Sequence, residues 1–390
     1  MQIGGRMDFS LSEEQQLFQD SVRAFAEREL KPGALARAHS KEYPWEAARA
    51  LAAQGLMGIT IPAEKGGQGG TLLDAVLAIE QVALADPRAA DVIQAGNFGA
   101  VRVLAEVGTP DQLDRYLAGV LSGQKVMSVC MTEPDAGSAA TDLKTKAVPD
   151  GEGYRISGTK IFTTHGLHAD LFLVYVRYGP GLEGIGSVLI ERGSEGLRFG
   201  QGSRFLSGEE WTTFYFDEVY VPKQNVLLGP GGFKRQISAF NIERLGNSSR
   251  ALALGEYAFR IARDYAMSRH QFGRPLCEFQ GLQWKFANMR MQLDAARLLL
   301  YRAASNADRG LPTAAETAIA KAYCNRAGFE AATESMQIMG GMGYSEESLI
   351  EYCFRRTRGW MIAGGSIEMM LNRIAEDIFS RHFSQRPERS

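Results

Sequence analysis

The hydrophobic period of this chain switches twice, from helical to strand-like near Lys125 and back to helical after Gly229-Pro230-Gly231-Gly232. A stretch with a 3.6-residue period cannot keep its apolar face buried as a strand, and an alternating stretch cannot do so as a helix. The order helical, β, helical follows, and we expect units at 7–124, 125–230 and 231–390. In the first unit Leu11, Phe18, Val22 and Phe25 share one helical face, with Ser10 or Ser12 as the cap and Pro32 just beyond the end. Further helices are predicted from Pro44-Trp45 and over 71–85, 88–107 and 110–121. In the second unit 126–131, 171–176, 186–190 and 212–216 read as strands, and Asp150-Gly151 between two β-rich runs signals a hairpin. Their spacing suits an antiparallel sandwich or barrel. In the third, Leu254, Tyr257, Ala258, Ile261 and Tyr265 line one helical face and Phe286, Met289, Leu293, Ala296 and Leu300 another, which predicts a helical bundle.

A net charge of −2 gives no global attraction to nucleic acid or to an anionic membrane, although Arg355-Arg356-Thr357-Arg358 is a local basic run. The four cysteines form no CxxC pair and read as reduced core thiols of a cytoplasmic protein. No apolar run approaches a membrane span. Met1 to Arg6 lacks the basic-then-apolar order of a signal peptide, and Met7-Asp8-Phe9 is a candidate natural start preceded by a disordered extension.

Several segments carry residue types suited to a flat, charged ligand. Thr132-Glu133-Pro134-Asp135-Ala136-Gly137-Ser138 follows a predicted buried strand and offers backbone N–H groups and hydroxyls to a ring edge or diphosphate. Phe162-Thr163-Thr164 ends a second strand, where an aromatic ring can cover a conjugated system and hydroxyls can bond its heteroatoms; each is equally readable as ordinary strand and turn. Arg269-His270-Gln271-Phe272-Gly273-Arg274-Pro275 breaks a long helix and sets arginine beside an aromatic. Gln337 to Tyr344 ends another helix in glycines, and Gly364-Gly365-Ser366-Ile367-Glu368 opens the last one, where two glycines admit close backbone approach. His165 reads as a structural or surface histidine.

In this order, Thr132 to Ser138, Lys160 to Thr164, Arg269 to Leu276, Gln337 to Tyr344 and Gly364 to Glu368 resemble the acyl-CoA dehydrogenase family of flavoproteins over about residues 7–383. The resemblance implies an α+β fold: an N-terminal helical domain, a middle antiparallel β-barrel or sandwich domain and a C-terminal four-helix bundle. It implies FAD as cofactor and a homotetramer. Met131, Thr132, Gly137 and Ser138 would meet the flavin and diphosphate side, and Phe162, Thr163 and Thr164 the isoalloxazine. Phe162 stands where the family usually has tryptophan. Arg269, Phe272 and Gln280 would serve the adenine and diphosphate half, Gln337, Gly340 and Gly341 would reach FAD from a neighbouring subunit, and Ser366 and Glu368 would close the site. Ser138, Arg244 and Gly364 would meet the substrate.

The implied reaction converts an acyl-CoA to its trans-2-enoyl-CoA and passes electrons to an electron-transfer flavoprotein. It needs a carboxylate base in a dry pocket. The commonest branch carries that glutamate where this chain has Gly364. The long-chain and isovaleryl branches carry it on an earlier helix, and Phe240 to Leu245 resembles that segment with Glu243 in the matching place. Glycine at 364 leaves room for a branched or cyclic acyl group. The alternatives are a non-redox acyl-CoA lyase or desulfinase on the same fold, and a silent acyl-CoA-binding subunit. Arg356 replaces an aspartate of the family pattern, with loss of a surface ion pair as the expected consequence. Arg88 is expected to be exposed after Asp86-Pro87, although a buried arginine there would suit an acyl chain ending in a carboxylate or sulfinate.

Overall fold

The computed structural model describes residues 10–310 and 313–385. The candidate start at Met7, the extension before it and the last residues of the third unit lie outside the described residues. The first helices are α1 (Glu13–Phe25), α2 (Ala34–His39), α3 (Trp45–Ala53), α4 (Leu72–Ala83), α5 (Ala89–Asn97), α6 (Gly99–Val107) and α7 (Pro110–Leu121). Ser12 caps α1 in a capping box with Gln15, and Thr71 and Thr109 do the same for α4 and α7 through Asp74 and Gln112. Each such cap is worth about 1 kcal/mol. The helix expected over 88–107 is instead two, because Phe98 turns extended and Gly99 takes φ +62, a conformation that ends one helix and starts the next.

The strands are β1 (Met127–Cys130), β2 (Lys146–Asp150), β3 (Gly153–Lys160), β4 (Leu171–Arg177), β5 (Ile185–Glu191), β6 (Leu197–Phe199), β7 (Ser203–Arg204), β8 (Glu210–Trp211), β9 (Phe214–Pro222) and β10 (Val226–Leu228). Eight of them form one sheet in the order β10-β5-β4-β2-β3-β9-β6, with β1 beside β4. Pairing is antiparallel except along β4, where β1 and the end of β2 run parallel to it. Asp150-Gly151 turns the β2–β3 hairpin as its sequence signals. The strand expected at 212–216 begins at Phe214 and runs on to Pro222.

The third part holds α8 (Phe233–Ser268), the β11 (His270–Gln271) and β12 (Arg274–Pro275) hairpin, α9 (Gln280–Asp308), α10 (Ala314–Met339), α11 (Gly341–Tyr344), α12 (Leu349–Trp360) and α13 (Ile367–Ile378). The long helices α8 and α10 cross closely at two glycines: a Cβ on Gly255 would come within 2.7 Å of Gly328 Cα. That approach sets Lys321 and Asn325 of α10 against the turn of α8 that carries Glu243 and Asn247. One continuous core links the helices to the sheet, from Phe25 and Val76 through Leu252 and Leu300 to Phe172 and Phe214. Among the described residues no helix is long and apolar enough to cross a membrane, and all four cysteines are free.

Candidate active site

Two loops at the ends of β1 and β3 are locked together. Ile161 N–H donates to Thr132 O at 2.9 Å, Ser128 Oγ to Thr164 O at 2.8 Å, and Thr163 Oγ1 faces Cys130 Sγ at 3.5 Å. Beneath them Lys160 Nζ lies 2.8 Å from Glu133 Oε1 and donates to Met131 O at 3.1 Å. Glu133 also accepts from Lys144 N, Thr145 N and Thr145 Oγ1, so the buried pair is fully satisfied and fixes both loops. Burial would raise the Glu133 carboxyl, but Lys160 and these donors hold it below the usual range. Phe162 and His165 both take φ +57, a concentration of backbone strain on either side of Thr163-Thr164. The strain turns the Phe162 ring outward, 47% exposed, with Trp211 at 4.6 Å between ring centres and Phe205 at 5.9 Å. Thr163 is buried, while Thr164 and Ser138 are exposed and Met131 and Thr132 half-buried. A Cβ at Gly137 would meet nothing.

Glu243 is half-buried as a residue, yet its Oε2 is shut off from solvent and has no hydrogen-bond partner, while Oε1 accepts from Gln94 Nε2 of α5. Gly99 leaves the space beside Oε2 open, since a Cβ there would approach it to 3.2 Å. Burial pushes the Glu243 carboxyl up to about 7, with Arg250, the Gln94 hydrogen bond and Lys321 each pulling the other way. A carboxyl titrating near neutrality in a dry site is suited to take a proton from carbon. Arg244 Nη1 donates to Asn241 Oδ1 at 2.6 Å, its Nε has no acceptor, and burial pulls its guanidinium down to about 10. Gly364 (φ +69) and Gly365 (φ +91) form the turn that faces these groups. A Cβ on Gly364 would sit 3.6 Å from Lys321 Cε, and one on Gly365 3.8 Å from Arg244 Nη2. Ser366 Oγ caps α13 by accepting from Met369 N at 3.4 Å. The exposed Glu368 carboxyl is held below the usual range by its own backbone N–H and by Ser366.

Arg88 and Arg356 correct two expectations. Neither is a surface residue: with Arg250 they surround the buried Asp91. Asp91 accepts from Arg250 Nη1 at 2.7 Å, Arg356 Nη2 at 2.5 Å and Arg88 Nη1 at 3.1 Å, and Glu209 pairs with both Arg88 and Arg356. Reversal of charge at Arg356 has therefore built a buried pairing and not lost a surface one. Asp91 and Gln94 lie one helical turn apart on α5, which sets the cluster directly behind Glu243. His165, edge-on to Tyr43 at 5.1 Å, is pushed down to about 3 by burial and by the Arg88 charge, and is structural.

Arg269, Phe272, Gln280, Gln337, Gly340 and Gly341 are all exposed, and Phe272 is 94% so. Arg269 stands about 39 Å beyond Glu243 along α8 at a rise of ~1.5 Å per residue. The structure does not bring this group to Glu243 within one chain.

The acyl-CoA dehydrogenase N-terminal, middle and C-terminal domain families match residues 12–124, 128–219 and 230–379. The chain belongs to the acyl-CoA dehydrogenase family. It is 33% identical to a short-chain-specific acyl-CoA dehydrogenase of Clostridium acetobutylicum, over 96% of this chain and all of that one. It is equally 33% identical to a 3-sulfinopropanoyl-CoA desulfinase of Paraburkholderia xenovorans, over 97% of this chain and 99% of that one. A chain solved in work on the electron-transferring flavoprotein of Acidaminococcus fermentans superposes with a TM-score of 0.90 at 32% identity, covering 95% of this chain and 99% of that one. The enzyme is an oxidoreductase acting on a CH–CH group, and FAD is its cofactor. The residues present fit that group: the outward Phe162 ring, the exposed Thr164 and Ser138 hydroxyls and the open Gly137 are carried by the two loops locked together at the ends of β1 and β3.

Sequence reasoning missed Gln94, Lys321, Trp211 and Phe205. Trp211 and Phe205 carried a signal in being large aromatics inside a short hairpin. Gln94 and Lys321 carried none, since each reads as a polar residue on a helix.

Proposed function

We propose that the enzyme removes two hydrogens across C2–C3 of an acyl-CoA thioester, with Glu243 as the base for the C2 proton. The observation that carries this is the unpartnered, dry Glu243 Oε2 with its carboxyl near neutrality. The proton moves from C2 to Oε2, and Gln94 steadies the other oxygen. The flavin, when bound, supplies the acceptor for the hydride from C3. Phe162, Thr163 and Thr164 would hold its ring, Met131, Thr132, Gly137 and Ser138 its edge and diphosphate side, and Ser366 and Glu368 would close over it. Ser138, Arg244 and Gly364 would meet the thioester. Arg269, Phe272, Gln280, Gln337, Gly340 and Gly341 would complete the cofactor site of a partner subunit in a homotetramer, which their exposure and their distance from Glu243 support. An electron-transfer flavoprotein would take the electrons, a reading supported by the Acidaminococcus relationship. The free cysteines fit a cytoplasmic setting.

A second reading is a non-redox desulfinase. The relative of that name and the buried arginines beside Glu243 favour it; the ionisable Glu243 favours dehydrogenation. Anaerobic addition of straight, branched and dicarboxylic acyl-CoAs to the yellow protein separates them. Bleaching of the flavin band by one thioester, abolished by Glu243→Gln, is the expected result. An unbleached flavin with a mass change in the acyl group would overturn it.

A further inference from the structure

The β7–β8 hairpin stands off the main sheet. Its strands are two residues each, paired Ser203 to Trp211 and Arg204 to Glu210, and among the described residues they join no other strand. A ribbon so short does not hold its own position. Yet it carries Trp211 and Phe205, which flank the Phe162 ring at 4.6 and 5.9 Å and each other at 5.9 Å. Its tip is held from outside by three arginines. Arg355 Nη1 of α12 donates to Leu206 O at 3.1 Å. Glu209 Oε1 lies 3.2 Å from Arg88 Nη1, and its Oε2 pairs with Arg356 Nη1. The Glu209 side chain is 13% exposed and its two arginines 6% and 3%, so solvent screens the pairing little.

The balance of charge explains why the tip goes there. Arg88 and Arg356 both reach Asp91 Oδ2, at 3.1 and 2.5 Å, while Arg250 takes Oδ1 at 2.7 Å. One carboxylate cannot balance three buried guanidiniums, and Glu209 is the second, with one oxygen for each arginine that shares Oδ2. We propose that Glu209 is a positioning residue of the flavin site: with Arg355 on Leu206 O, its pairing with Arg88 and Arg356 latches the hairpin to α5 and α12 and holds Trp211 and Phe205 as the wall beside the Phe162 ring. The proposal rests on the reading that Phe162 holds the flavin ring. Phe162 needs such a wall, because its backbone at φ +57 turns the ring outward. The same cluster reaches the base: Asp91 is one turn from Gln94 on α5, and Gln94 Nε2 donates to Glu243 Oε1. The latch therefore fixes the ring platform relative to the helix that holds Glu243.

The test uses the FAD-loaded enzyme and reads two quantities. One is the Kd for FAD, from flavin fluorescence on dilution; the other is the emission of Trp211, taken as the component that Trp211→Phe removes. In Glu209→Gln the Trp211 emission should shift to the red and become more open to acrylamide quenching. The Kd should rise roughly two- to twelvefold, the range for loss of an aromatic pair. In a background carrying Phe205→Ala and Trp211→Ala, Glu209→Gln should change the Kd little, since changes that act through one contact do not add. An equal rise in both backgrounds would overturn the proposal, because the cluster would then act on FAD by another route. Where Phe162→Ala raises the Kd and folded Glu209→Gln does not, the proposal is overturned as well, whether or not the emission moves. Arg355→Met frees Leu206 O, leaves the Asp91 cluster in place and should move both quantities the same way. It carries the test if Glu209→Gln does not fold, and an unchanged Kd there would sink the latch. Phe162→Ala with the parent's Kd would instead sink the flavin reading, while the Trp211 emission still tests the latch.

Discussion

Asp91 Oδ2 lies 2.5 Å from Arg356 Nη2, across 265 residues of sequence, and both side chains are almost fully removed from solvent. Burial alone would raise the Asp91 carboxyl; Arg356, Arg250 and Arg88 together hold it well below the usual carboxylate range. One carboxylate thus neutralises parts of three guanidiniums, two of which also stack on Trp360 at 4.3 and 4.8 Å. Asp91→Asn leaves Arg88 and Arg356 with only Glu209, takes from Arg250 its carboxylate, and should cost about 3–5 kcal/mol of stability, read as a lowered midpoint of urea unfolding at pH 7. Arg356→Met added to Asp91→Asn should recover part of the loss, because it removes one stranded charge.

Glu243 should be costly to the fold it serves. Its folded pKa of about 7 stands above the ordinary glutamate value, so its stabilising contribution is complete below that ordinary value and is lost as pH rises through 7. Glu243→Gln should therefore stabilise the enzyme at pH 8, by on the order of 1–3 kcal/mol, and leave it little changed near pH 4. Paired Tm measurements at the two pH values check this. The rate of flavin bleaching in the parent enzyme should rise between pH 6 and 8, as Glu243 ionises.

How much of this was legible depends on how far apart the deciding atoms lie in the chain. The serine cap of α1, read as Ser10 or Ser12 and formed by Ser12, the Asp150-Gly151 hairpin and the 3.6 period of α9 are local, and the sequence shows them. The break at Phe98-Gly99 is local too, but an apolar helical run hides a single positive φ. The fate of Arg88 and Arg356 was not legible, because their burial depends on α5, α8, α12 and the turn at Glu209 bringing Asp91, Arg250, Arg356 and Glu209 together. Glu243 was legible only by resemblance; its dryness comes from α5 and α10 folding over it.

Phe162 is the side chain on which the flavin reading can be tested by binding alone. Its ring is held outward by a strained backbone and supported by Trp211. Phe162→Ala should weaken FAD binding by about 0.5–1.5 kcal/mol, roughly a two- to twelvefold rise in Kd by flavin fluorescence. Phe162→Trp adds ring area to the same platform and should bind at least as tightly.

Gly364 separates room from backbone freedom. An alanine Cβ there would make ordinary contact with Lys321 Cε at 3.6 Å and clash with nothing, yet φ +69 is a conformation that L-residues resist. Gly364→Ala should therefore cost only about 1–2 kcal/mol in stability. Its larger effect should fall on the substrate. If the open space accommodates bulk near C2 and C3, the added methyl should lower kcat/KM severalfold for a branched acyl-CoA and much less for butyryl-CoA. Side-by-side bleaching rates decide this. Equal losses on both thioesters would mean that the glycine is needed for the turn alone, and the preference for bulk would have to be sought elsewhere in the pocket.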